Sequence, residues 1–277
     1  GPRAARWLAR RRAAPLVNAP VIILCGGRAT RLASLFPDTP KALVPVGGQP
    51  FLRHQLLWLS RAGVSHIHLA AGHLSARLVE WLDSAACRLR GDPILWKLEP
   101  PSTPAPLAIS LSAEPIPLGT GGGVRFAADA LARHRSFEYL LALNGDTWLP
   151  NFSVQTLEAH FAKASNPWTT IAVTLIADAA RFGTVRREGT RVVAFEEKGR
   201  AGSGWINAGV YALTRAAVSS ISSDLPSSLE HDWFPRWAAD GRLDSVPAPP
   251  PLYDIGTPDG LAELDRALQC RPNPPAS

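Results

Sequence analysis

Three short stretches carry residue types and spacings suited to handling phosphate. In "CGGRATRL" (25–32), Gly26 and Gly27 follow a β-branched apolar run, with Arg28, Arg31 and then Lys41 as the nearby cations. Two residues without side chains let a phosphate approach backbone N–H groups, and Arg31 and Lys41 add positive charge where a polyphosphate would rest. A Walker loop needs G-x-x-x-x-G-K-[ST], yet no lysine follows these glycines until Lys41, and the G-x-G-x-x-G dinucleotide fingerprint is missing too. In "NGDT" (144–147), Asp146 closes a buried apolar run, where a carboxylate needs a partner. In "YDIGTPDG" (253–260), Asp254 either faces a ligand or caps the helix that follows. A tight turn with solvated cations is the competing reading of the first stretch. Lys198 in "AFEEKG", taken alone, reads more readily as a solvated hairpin end.

The elements that must position these residues follow from hydrophobic period. "PVIILC" (20–25), "HIHLAA" (66–71), "EYLLAL" (138–143) and "TTIAVTLI" (169–176) read as buried strands. Helical spacing runs through 51–63, 74–87 and 123–135 between them. Strand-helix alternation predicts an α/β fold with a mostly parallel sheet covered on both faces, and ligands bind such sheets at the carboxyl ends of their strands. The glycine loop and Asp146 both fall at such ends. The second half changes character: 182–198 reads as a hairpin turning at Glu188-Gly189, and 204–213 as a further strand. These antiparallel strands would make the sheet mixed and form a lid or substrate-facing subdomain. Helical patterns return at 227–241 and 259–269, and the proline-rich stretch 92–117 reads as an exposed loop.

Composition excludes several classes. With 277 residues, 46% of them hydrophobic, the chain can bury a full core. No apolar run approaches the roughly 18 residues of a membrane span, so no membrane partner is expected. Cys25, Cys87 and Cys270 are scattered, which argues against a zinc site or a disulfide framework and fits a reducing, cytoplasmic setting. The net charge of +6 is concentrated in Arg3, Arg6, Arg10, Arg11 and Arg12, and no acidic residue precedes Asp38. The rest of the chain is close to neutral, so no nucleic-acid partner is expected. Residues 1–18 read as a flexible basic tail opening on a Gly-Pro that resembles the remnant of a cleaved tag, 19–270 as one domain, and 271–277 as a short tail. His66 and His68 share a strand face with no third ligand, and read as core or surface histidines.

"LCGGRATRL…PDTPKALVPVGGQPFL" resembles the signature of the sugar-phosphate nucleotidylyltransferases, L-x-G-G-x-G-T-R-L-x-P-x-T-x-x-x-P-K. "PLGTGGGVRFA" (117–127), "NGDT", "FGTV…VVAFEEK" (182–198), "INAGVYAL" (206–213), "SLEHDWFP" (228–235) and "YDIGTPDG" continue the resemblance in order, over residues 20–266. It implies a Rossmann-like nucleotidyltransferase fold and Mg²⁺-dependent attack of a sugar 1-phosphate oxygen on the α-phosphorus of a nucleoside triphosphate. Those two molecules are the implied partners, with oligomeric state left open. A phosphate monoester has its second pKa near about 6 and is mostly dianionic at neutral pH, so no general base is required. By resemblance, Arg31, Lys41, Asp146 and Lys198 carry the chemistry, and Asp146 and Asp254 hold Mg²⁺. Gly26, Gly27, Gly119, Thr120, Gly121 and Gly122 receive the nucleotide. Gly145, Glu197, Lys198, Asn207 and Gly209 receive the sugar phosphate. Among subfamilies the pattern is most like the D-glycero-α-D-manno-heptose 1-phosphate guanylyltransferases, with mannose-1-phosphate guanylyltransferases and N-acetylmuramate-1-phosphate uridylyltransferases as rivals.

The chain departs from the family pattern in three places. Ala29 replaces a glycine of the loop, Gly199 follows Lys198 where proline is common, and residues 93–106 read as an insertion. Ala29 motivates a reading of another class, a catalytically silent protein that binds nucleotide sugars. The retained Arg31, Lys41, Asp146, Lys198 and Asp254 speak against it. Because little chain follows "YDIGTPDG", a further acyltransferase or regulatory domain is not expected.

Overall fold

The computed structural model describes residues 17, 19–27, 31–91, 93–99, 106–164, 168–197, 199, 202–223 and 225–269. Strands β1 (Val21–Cys25), β4 (His66–Ala71), β7 (Leu107–Ala113) and β8 (Tyr139–Asn144) run parallel in the order β8-β1-β4-β7. Their apolar runs are buried on both faces because helices cover both sides, as parallel pairing demands. The covering helices are α1 (Phe51–Arg61), α2 (Ser75–Ala85), α3 (Gly119–Ala132) and α4 (Val154–Lys163). Small ladders form beside the sheet: β2 (Pro45–Val46) with β3 (Gln49–Pro50), and β9 (Thr147–Trp148) with β15 (Tyr253–Asp254).

Beyond β8 the sheet turns antiparallel. Strand β13 (Gly204–Thr214) pairs with β8, with β10 (Thr169–Ile176) and with β11 (Thr184–Glu188). The hairpin partner β12 (Arg191–Glu196) joins β14 (Leu243–Pro247), and β14 returns to β10. These five strands close a ring around Val185, Val192 and Ile171, so the antiparallel part is a packed extension of the sheet. Short helices α5 (Arg215–Ser220) and α6 (Phe234–Ala239) cover it, and α7 (Pro258–Gln269) packs beside β2.

Four expectations need correction. The proline-rich stretch holds β6 (Leu95–Leu98) and β7, with β5 (Cys87–Leu89) completing an antiparallel edge. The prolines at 93, 106, 115 and 117 flank these strands rather than interrupt them, which is where a residue without an N–H is tolerated. The helix expected at 123 begins at Gly119, because the segment at 225–229 packs onto its first turn. The helix expected over 227–241 is a π-turn at Leu229–Trp233 followed by α6, with Pro235 in the first turn of α6, where its missing N–H costs nothing. Val17, placed in the tail by sequence, is buried and bridges Val64. Residues 1–16, 92, 100–105 and 270–277 lie outside the described residues, and with them the middle of the expected insertion.

His68 is a core histidine. Nδ1 meets the Ser110 hydroxyl at 2.8 Å and Nε2 the Ser112 hydroxyl at 2.9 Å. Burial first, and the neighbouring His66 second, hold its pKa at about 4 against an ordinary 6.5. Above pH 6.5 the ring is neutral in both folded and unfolded chains. As pH falls toward 4, only the unfolded chain takes up the proton, so stability is lost across that window, by about 1–3 kcal/mol. Urea midpoints at pH 7.5 and 5.0 check this, and His68→Gln should narrow the gap. An unchanged gap would show that the ring titrates normally.

Candidate active site

The carboxyl ends of β1, β8 and β7 open into a cleft of about 270 Å³ lined by Gly26, Gly27, Lys41, Glu114, Thr120 and Asp146 among others. Asp146 arrives through a tight turn after β8. Gly145 N–H donates to the Leu24 carbonyl at 3.0 Å, and a Cβ at Gly145 would run into that oxygen. Gln55, fully buried on α1, donates from Nε2 to the carbonyls of Asn144 (3.0 Å) and Thr147 (2.9 Å) and so locks the turn. A polar residue on the apolar face of a helix was the sequence signal for it.

Asp254 reaches the same place from the far end of the chain. The β9–β15 ladder pairs Asp254 with Thr147, and Ile255 N–H donates to the Asp146 carbonyl at 2.9 Å. Asp254 Oδ1 accepts from Gly256 N–H at 2.7 Å, as a turn residue would. Burial raises the Asp254 pKa, and the neighbouring Asp146 carboxylate raises it further. Lys41 and Arg31 pull in the opposite direction. Lys41 forms an ion pair with Asp146 and lies beside Gly256. The excursion through 32–40 thus returns its ammonium to the glycine loop. Cys25 lines the same wall, and burial followed by Asp146 pushes its thiol up to about 12, so it stays protonated.

Two carboxylates from separate chain segments, held close enough to repel, form a donor set that suits a hard divalent cation needing one or two carboxylates plus phosphate oxygens. Lys41 supplies positive charge there in its absence. Among the described residues no cluster of three or more His, Cys, Asp or Glu could hold a metal by itself.

The nucleotide candidates divide. Gly26, Gly27, Gly119 and Thr120 line the cleft, whereas Gly121 and Gly122 are not among its lining residues. A Cβ at Gly121 would meet the Ser227 hydroxyl at 2.7 Å, and one at Gly122 would meet Leu118 at 2.8 Å. Glu114, which sequence reasoning missed inside the supposed loop, sits on the opposite side of β1 from Asp146. Its Oε1 would be 2.7 Å from a Cβ on Gly26, so the carboxylate lies directly over that glycine. Burial raises its pKa, and a hydrogen bond from the Leu118 backbone opposes the shift.

Of the sugar candidates, Gly145 lines the cleft and Glu197 is exposed. Asn207 is half-buried, its Oδ1 accepting from Gly209 N–H at 3.0 Å, and Gly209 holds φ +70° beside Thr147. Arg31 is exposed, within electrostatic reach of Asp254. Lys198 and Ala29 lie outside the described residues.

A family model described as nucleotidyl transferase matches residues 20–270. The chain belongs to this family. It is 28% identical over 248 residues to a D-glycero-alpha-D-manno-heptose 1-phosphate guanylyltransferase of Aneurinibacillus thermoaerophilus, covering 90% of this chain and 97% of that one. It is 30% identical over 260 residues to a mannose-1-phosphate guanylyltransferase of Mycobacterium tuberculosis, covering 91% of this chain and 66% of that one. Crystalline HddC from Yersinia pseudotuberculosis superposes with a TM-score of 0.73 at 24% identity, covering 90% and 99% of the two chains. This likeness establishes the Rossmann-like nucleotidyltransferase fold. Among the described residues, no helix of this family member is long and apolar enough to cross a membrane.

Proposed function

We propose that the protein transfers a guanylyl group from GTP to a sugar 1-phosphate, with D-glycero-α-D-manno-heptose 1-phosphate as the first candidate, releasing pyrophosphate. The observation that supports this reading is one cleft lined by Glu114 on one side and by Lys41 and Asp146 on the other, with Asp254 beside Asp146; we assign the first side to the base and the second to the phosphates. The strand ends that carry Glu114 and Asp146 are separated by β1 and β4, and the Glu114 carboxylate reaches back over Gly26 at the end of β1. The named activities of the two relatives support guanine and leave the sugar between heptose and mannose.

Glu114 supports guanine on chemical grounds. A carboxylate accepts two parallel hydrogen bonds, and guanine alone offers adjacent N1–H and N2–H donors on one edge. Uracil and thymine offer one N–H between two carbonyls, which a carboxylate repels. Glu114→Gln should therefore lower kcat/KM for GTP by about 10- to 100-fold, the weight of a bidentate contact, and leave UTP no worse. Pyrophosphate release with GTP, UTP, ATP and CTP measures this. An unchanged ranking would remove Glu114 from base recognition.

At the other end, an oxygen of the sugar phosphate attacks the α-phosphorus, a new P–O bond forms, and the bond to the β-phosphate oxygen breaks. The nucleophile is already dianionic, so the residues bind and orient. Lys41 and Arg31 offset the charge of the approaching anions, and the Gly27 backbone, with open space over it, admits the phosphates closely. Glu197 and Asn207 hold the sugar phosphate from the β12–β13 side, and by resemblance Lys198 grips its phosphate. Asp146 and Asp254 would hold Mg²⁺, which when bound neutralises charge on the phosphates. A pyrophosphate-release panel of nucleoside triphosphates against mannose, glucose, N-acetylmuramate and heptose 1-phosphates tests the whole reading. Absence of turnover with every pair, despite nucleotide-sugar binding, would instead assign a silent binding protein.

A further inference from the structure

The "SLEHDWFP" stretch has no role in the chemistry above, yet it places a carboxylate between the two substrate walls. The π-turn at Leu229–Trp233 is a form that recurs at functional sites, and Ser228 caps it by accepting from His231 N–H at 3.1 Å. This turn points Glu230 into a chain of hydrogen bonds. Glu230 Oε2 accepts from the Thr120 hydroxyl at 2.7 Å and the Ser228 hydroxyl at 3.0 Å. Its Oε1 accepts from the hydroxyl of fully buried Tyr211 at 3.1 Å. Tyr211 accepts in turn from Asn207 Nδ2 at 3.0 Å and from the Asn144 side chain.

A carboxylate can only accept, so both branches run toward Glu230. On the nucleotide side, Thr120 spends its proton on Glu230 and takes Leu229 N–H at 2.8 Å. Its remaining lone pair makes it an acceptor toward the cleft, suited to a ribose hydroxyl or a base N–H and not to a phosphate oxygen. On the sugar side, Asn207 has Oδ1 committed to Gly209 and one Nδ2 hydrogen committed to Tyr211. Among the described residues its second Nδ2 hydrogen has no acceptor, so Asn207 presents a donor. Burial keeps the Tyr211 hydroxyl protonated, with a pKa well above its ordinary value, and the nearby Glu230 carboxylate adds to the effect.

We propose that Glu230 is a positioning residue that fixes the hydrogen-bond polarity of both walls, making Thr120 an acceptor toward the nucleotide and Asn207 a donor toward the sugar phosphate. The inference rests on the sugar-facing role of Asn207 in the proposed reaction. In Glu230→Gln one carboxylate oxygen becomes an NH₂ group, which cannot serve a donor. Facing Thr120 and Ser228 it would strand two donors, and facing Tyr211 only one, so the amide nitrogen turns to Tyr211. The sugar branch is then the one disturbed.

Steady-state kinetics with each substrate varied provides the test. Glu230→Gln should raise KM for the sugar 1-phosphate about tenfold, the weight of one hydrogen bond, with KM for GTP changing less than about threefold. Tyr211→Phe should give the same split, and the double variant should be no worse than either single one. Unchanged sugar-phosphate KM in Glu230→Gln, or effects that multiply in the double variant, would overturn the proposal. A lowered melting temperature with both KM values kept would reduce Glu230 to a scaffold residue and overturn it as well. Failure of the function itself looks different, as wild-type protein with no turnover on any pair. Glu230→Ala, which removes both branches, is then read by calorimetric GTP binding. Binding about tenfold weaker supports the proposal and unchanged binding overturns it.

Discussion

Asp146→Asn is expected to lower kcat about 10³-fold while leaving the melting temperature within a few degrees of wild type. The side chain is isosteric, so the turn held by Gln55 and by the Gly145–Leu24 hydrogen bond survives. What is lost is a negative charge beside Lys41 and Asp254. The remaining carboxylate would have to hold a divalent cation next to an ammonium that no longer has its own partner. Asp254→Asn should act in the same direction with a smaller effect, since Asp254 makes no ion pair with Lys41 among the described residues. Pyrophosphate release under saturating substrates measures both. Near-normal rates in either variant would remove that residue from metal binding.

Lys41→Met is expected to separate catalysis from stability. It should lower kcat/KM for the nucleoside triphosphate about 10²-fold, as loss of a positioned cation facing phosphate does. It should also destabilise the metal-free protein by about 1 kcal/mol, because Asp146 and Asp254 then repel without a cation between them. The pair is partly exposed, which keeps that figure small. Millimolar Mg²⁺ should restore the variant's melting temperature and barely shift that of wild type, where Lys41 already occupies Asp146. Calorimetry with and without chelator checks this. A variant indifferent to Mg²⁺ would show that Lys41 and the cation do not share the carboxylates.

The order of the elements was legible in the chain because buried parallel strands read as short apolar runs and their helices as 3.6-residue periods. Strands β4 and β10 lie where that pattern put them, at 66–71 and 169–176. Asp146 and the two glycines were legible for a related reason. A charged residue or paired glycine that ends an apolar strand falls at the carboxyl edge of the sheet, where ligands bind. The strands inside the proline-rich stretch were not legible, because a proline that flanks a strand looks the same in sequence as one that breaks it.

Only the tertiary structure decided which distant residues meet. Asp254, paired with Asp146 beforehand by resemblance alone, stands beside it through a two-residue ladder too short to leave a pattern. Glu114 lies over Gly26 because β4 places β7 two strands from β1. Glu230 accepts from Thr120 and Tyr211 because 225–229 packs onto the first turn of α3. Periodicity records which face of an element is buried, since burial acts on each residue locally. Which side chains share a cleft depends on strand order and register, which are properties of the closed sheet and of no single segment.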